Sequence, residues 1–135
     1  MEHHVLPIVR AMVLCEDVLP GPSGSGNVHL LNVFGAIRPR SEPAFPYRLR
    51  QLCVFLQLSD AQGHLTGRIL ARNAGSHTIV FASGEHPIHF VDRLQVKWVV
   101  FRLNDCYFPA AGVYWVEFYC AERWLADQTV HLLGV

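Results

Sequence analysis

Two histidines set three residues apart, His86 and His89, form the pair whose spacing first invites chemistry. With Pro87 and Ile88 between them they make an HxxH pattern, which on a helix would put both rings on one face. Pro87 and its β-rich surroundings argue against a helix. On a strand, residues three apart point to opposite faces. A loop-bound pair completed by His77, His64 or Glu85 is the arrangement that would make this chain a metal-dependent enzyme or a metal sensor. Zinc needs three or four convergent N, S or O ligands with further groups to orient them. The chain has eight histidines, and ordinary surface positions are the plainer account of them. The expectation is no metal and no cofactor, with His86 and His89 as the candidates if a metal is held.

Acids and thiols offer less. If the strands alternate in direction, Asp17, Asp60 and Asp92 fall at one end of the molecule, which is how some β-sandwich modules bind calcium. Such sites gather several acids within a few residues, whereas here each loop supplies about one, with Glu16 beside Asp17. Turn-forming Asp is the default. The chain has no GxSxG pattern and no CxxC pair. Among Cys15, Cys53, Cys106 and Cys120, the first two and Cys120 lie in apolar runs, where a thiol acts as a small hydrophobe. Cys106 looks the least buried, but a reactive thiolate needs an electropositive setting and Asp105 is its neighbour. No catalytic residue is expected.

The aromatic residues near the C-terminal end carry the stronger signal. From Gly112 to Leu133 the chain reads as a β-hairpin, its first arm filled by Val, Tyr, Trp and Phe, which favour a pleated, half-buried surface. A short polar break at Glu122-Arg123 separates the arms. Tyr114, Val116, Phe118 and Cys120 alternate onto the inward face. Val113, Trp115, Glu117 and Tyr119 form the other face, with Trp124 near the turn. An open Trp/Tyr row is a typical interface anchor. The competing account is that Trp115 and Tyr119 are covered by the 39–46 segment or by a neighbouring strand. If the row is open, Trp115, Tyr119 and Trp124 are the partner-binding residues, for a protein partner or for self-association. A carbohydrate would use the same rings.

Composition bounds the frame that must hold these residues. A chain of 135 residues is one domain by length and long enough to fold without disulfides or metal. Apolar residues make up 51% and charged residues 16%, so the strands are covered on both faces or an apolar surface awaits a partner. The formal net charge is zero, and ten Arg with one Lys are scattered. That argues against a nucleic-acid binder, which usually carries a basic stripe. Arg38, Arg40, Arg48 and Arg50 flank a Pro-rich loop as a solvated strand end. No stretch is long and apolar enough to span a bilayer as a helix. The opening Met1-Glu2-His3-His4 lacks the basic and apolar regions of a signal peptide. A cytoplasmic protein with free thiols is expected.

Short β-rich runs alternate with turn clusters, and no segment keeps a capped helical period. The runs are 8–15, 28–37, 47–59, 64–73, 77–82, 86–90, 93–103 and the terminal hairpin. Residues 19–27, rich in Gly, Ser and Pro, form a flexible loop. The 28–37 run is expected to be covered on both faces, and 39–46 to cross between sheets. The 47–59 and 93–103 runs read as central strands, 86–90 as an edge segment broken by Pro87, and 104–111 as a loop. The expected fold is a single all-β domain over 1–135. It is an immunoglobulin-like, two-sheet antiparallel β-sandwich of seven to eight strands.

Four segments occur in a telling order: Leu14-Cys15-Glu16-Asp17-Val18, Leu31-Asn32-Val33-Phe34-Gly35, Phe45-Pro46 and the Gly112-to-Leu133 hairpin. Together they resemble a bacterial family known only as a domain of unknown function, whose members are small, free-standing β-sandwich proteins. The resemblance covers nearly the whole chain and brings no catalytic residues with it. The expected function, a non-enzymatic protein-binding or scaffolding module in the bacterial cytoplasm that could pair as a dimer, comes instead from the aromatic face of Trp115, Tyr119 and Trp124.

Overall fold

Runs of β-branched and aromatic residues, broken by Gly, Pro, Asn and Asp, leave the backbone one route to hydrogen-bond satisfaction, which is strand pairing. The computed structural model describes residues 4–134. The opening Met1–His3, where the absence of a leader was read, lies outside the described residues. Within them the strands are β1 (Ile8–Pro20), β2 (Val28–Val33), β3 (Ala36–Ile37), β4 (Tyr47–Ser59), β5 (Gly63–Asn73), β6 (Ile79–Ala82), β7 (His86–Phe90), β8 (Lys97–Phe108), β9 (Gly112–Cys120) and β10 (Arg123–Leu132). No helix among them is long and apolar enough to cross a membrane.

The strands form two sheets. One has the order β2-β1-β4-β8, and the other runs β3-β10-β9-β5-β6, with β7 paired to β5 beyond the reach of β6. All pairings are antiparallel except the short parallel contact of β3 with β10. The inner faces meet in one core. Leu52, Val54, Leu56 and Leu58 of β4 and Val99, Phe101 and Leu103 of β8 join Ile69, Tyr114, Val116 and Phe118 of the other sheet. Gly67 makes room for this packing: a Cβ there would lie 2.8 Å from Ile88 Cδ1 in its own sheet and 3.3 Å from Phe101 Cζ across the core. Tyr114 is fully buried at the start of β9, and its hydroxyl donates to the Ala110 carbonyl at 2.7 Å. Ala121 and Glu122, with φ of 50° and 64°, make the two-residue turn of the terminal hairpin, a conformation whose twist matches the flanking strands.

Five expectations are corrected. Ten strands replace seven or eight, partly because the 28–37 run breaks in two. Asn32, with a φ of 52°, is an irregular residue within β2, and the chain leaves the strand after Val33, at Phe34-Gly35, putting β2 on the edge of one sheet and β3 in the other. β2 is therefore not covered on both faces, and Leu31 and Val33 are exposed. The strand expected from Arg93 begins at Lys97, because Asp92 Oδ1 accepts the Leu94 amide at 2.8 Å and Gln95 Oε1 accepts the Val91 amide at 2.9 Å, closing a turn. β8 is an edge strand rather than a central one, and it runs on through the supposed 104–111 loop to Phe108, paired with Tyr47. By contrast, β4 matches its expected limits, lies inside its sheet and is covered on both faces. The 38–46 connection crosses from β3 in one sheet to β4 in the other.

Candidate functional site

The outer face of the larger sheet places its side chains on a grid set by strand register. Across β5, β9 and β10, Arg72 aligns with Trp115 and Thr129, Leu70 with Glu117 and Asp127, and Arg68 with Tyr119 and Trp124. Alternation along β9 sends Tyr114, Val116, Phe118 and Cys120 into the core, all fully buried, and leaves Trp115, Glu117 and Tyr119 outside. On β10 the register shifts between Trp124 and Ala126. That bulge puts Trp124 and Asp127, three residues apart, on the same face.

Together Arg72, His77, Trp115, Glu117, Tyr119, Trp124 and Asp127 line a shallow concavity of about 410 Å³. Glu117 is its centre and is only 8% exposed. Arg72 Nε donates to Glu117 Oε1 at 2.9 Å, and the Tyr119 hydroxyl donates to the same oxygen at 3.1 Å. The hydrogen bond to Glu117 raises the Arg72 pKa above its ordinary value. Burial, followed by the bond to the Glu117 carboxylate, raises that of the Tyr119 phenol. At neutral pH the guanidinium is therefore charged and the phenol keeps its proton. His77 meets Trp115 edge-on at 5.7 Å between ring centres. The Arg68 guanidinium carbon sits 5.4 Å from the centre of the Tyr119 ring, so a cation already rests against one aromatic face.

Sequence pattern alone names Trp115, Tyr119 and Trp124, and the structure brings all three to this concavity. Trp115 and Tyr119 are half-buried, by β5 side chains and His77 rather than by the 39–46 segment, whose Phe45 packs on the main core. Trp124 is 58% exposed. Arg72 and Asp127 were missed. Arg72 lies more than forty residues from Glu117 in the chain, and only sheet pairing joins them. Asp127 reaches this face through a bulge that no spacing announces. Glu117 carried the one legible signal, as a lone acid in a Val/Tyr/Trp/Phe run.

His86 and His89 are not brought together. The His86 ring meets Phe101 edge-on at 5.5 Å, while His89 stacks on His64 of β5 at 3.8 Å with the rings 8° from parallel. The ring beside His89 is therefore His64 rather than His86. No group of three or more His, Cys, Asp or Glu able to hold a metal occurs among the described residues. The three acids diverge as well. Asp17 pairs with Leu31 on β2, while Asp60 follows Ser59, which pairs with Ile8 at the far end of β1. Asp60 bonds Arg10, and Asp92 closes its own turn. Cys106 is buried, contrary to the expectation that it is the most open thiol. Burial pushes Cys15 and Cys120 up to about 11 and Cys106 up to about 12, so these thiols stay protonated and unreactive.

Over residues 10–132, nearly its whole length, the chain matches a family described as a family of unknown function (DUF6941). No curated protein matches it.

Proposed function

The chain belongs to DUF6941, and on that premise we propose that it is a non-enzymatic protein-binding or scaffolding module acting through the outer face of its larger sheet. The observation that carries this reading is the half-open aromatic concavity around Glu117. Trp115, Tyr119 and Trp124 offer rigid contact area at low entropic cost, in a setting where burial by a partner gains most. Arg72, Glu117 and Tyr119 hold one another in place, so the surface is organised before binding.

The proposal extends to architecture and setting. It takes the domain as immunoglobulin-like, supported by Tyr114. A buried Tyr at the start of the penultimate strand, bonded to a carbonyl four residues upstream, is a hallmark of such sandwiches. It also takes the protein as a free-standing, cytoplasmic bacterial one, possessing free thiols and able to self-associate at zero net charge.

Affinity capture from lysate of the source organism, with wild type beside Trp115→Arg, tests the binding face. The expected result is a partner recovered by wild type and lost in the variant, with both showing the same thermal unfolding. Full recovery by Trp115→Arg would remove this face as the binding surface.

A further inference from the structure

Asp127 has no role in the fold that accounts for it. It lies directly opposite Glu117 on the neighbouring strand, with Cβ atoms about 5 Å apart for such pairs. Like charges so placed are destabilising. Arg72 neutralises Glu117, but Asp127 is exposed and has no ion pair or hydrogen bond among the described residues. Around these acids stand the rings of Trp115, Tyr119 and Trp124, whose faces carry negative potential. Arg68, against Tyr119, is paired with Glu122, so Arg72, Glu117 and Asp127 leave one net negative charge inside the aromatic frame. A neutral sugar can only hydrogen-bond to the carboxylate, whereas a cation pairs with its charge and is also attracted by the ring faces.

We propose that the slot over Glu117 and Asp127, framed by Trp115, Tyr119 and Trp124, takes a single lysine or arginine side chain from an extended segment of a partner protein. The inference rests on the binding-face reading above and adds the chemistry of the occupant. The cation would pair with Asp127 and lie against the rings, as Arg68 already lies against Tyr119. Charge complementarity would set which segment docks, and the aromatic area would hold it.

The chain's three tryptophans make the test specific. Trp115 and Trp124 frame the slot, and Trp98, on β8 of the other sheet, is the internal reference. Indole N–H signals are followed by NMR while full-length protein is titrated with blocked pentapeptides bearing one central lysine or arginine. Norleucine and citrulline counterparts and cellobiose serve as neutral controls. The expected result is movement of the Trp115 and Trp124 signals with Trp98 still, at least tenfold weaker binding of every neutral probe, and about tenfold weaker binding of the cationic peptides by Asp127→Asn. Equal binding of neutral and cationic probes, stronger binding of cellobiose, no movement at Trp115 and Trp124, or an unaffected Asp127→Asn would overturn it. If the cation test fails while Trp115→Arg still loses its captured partner, only the occupant is wrong. If Trp115→Arg keeps its partner, the face itself is wrong.

Discussion

The outer faces of the two sheets differ in what covers them. On the smaller sheet Cys15, Val18, Cys53 and Phe55 form a second apolar cluster, flanked by Val13, Val28, Leu30 and Val100. Here the side chains mostly cover one another, although Trp98 stays 42% exposed. Trp98 leans on Phe55 at 5.9 Å between ring centres, and Arg102 reaches across to bond Asp17 Oδ1 and, at 2.7 Å, the Val18 carbonyl. On the larger sheet the aromatic residues are as large, but the middle of the grid is polar. Glu117, Arg72 and Tyr119 satisfy one another there, while Trp124 and Asp127 face solvent. The centre of one outer face is a self-packed apolar cluster with Trp98 at its exposed margin, whereas the centre of the other is a buried carboxylate network framed by aromatic rings. That contrast separates a structural surface from a binding one, although both carry Trp.

Truncation gives the largest effect and the sharpest way to break the comparison. Phe55→Ala should cost about 3 kcal/mol or more, as expected for a buried Phe. Trp124→Ala, at a mostly exposed position, should stay within about 0.5 kcal/mol. Denaturant unfolding of both variants checks this, and similar costs would mean the larger sheet's face is self-packed too. Next in size is Arg72→Met, which leaves the nearly buried Glu117 without its cation and should cost about 1.5–3 kcal/mol. Adding Glu117→Gln should recover part of that loss, and a double-mutant cycle reads the coupling. Purely additive effects would dissolve the network that holds the open face in shape.

The smallest effect is electrostatic and belongs to the smaller sheet's face. The hydrogen bond from Arg102 is the largest cause holding the Asp17 pKa below its ordinary value. A depressed folded-state pKa means the stabilisation is complete above the ordinary carboxylate value of about 4 and is lost as pH falls through the lower, folded-state value. Asp17→Asn should therefore be modestly less stable than wild type at neutral pH, with the gap closing under acid. Urea midpoints measured across pH 2–7 check this. A gap that widened in acid would contradict the pairing.

Several elements were legible because their patterns are local. The 47–59 strand announced itself by two apolar faces, Leu52 to Leu58 on one and Cys53 and Phe55 on the other, and both are buried. Pro87 marked His86–Phe90 as a separate segment, and it became β7 at its expected limits. The alternation in β9 sorted core from surface correctly. The errors arose where a turn depends on one side chain or one backbone angle. The Asp92 turn moved the start of β8, and the bend at Phe34-Gly35 split the second run. Both decide strand limits without leaving a periodic trace.

What the sequence determined by itself is the β class, the inward row of the last hairpin and the aromatic residues of the candidate face, because strand alternation is a property of neighbours in the chain. Only the tertiary structure decided that Arg72 meets Glu117, that a bulge turns Asp127 to the same side as Trp124, and that His89 faces His64 instead of His86. Those contacts depend on register between strands distant in sequence, and register is set by how the whole core packs.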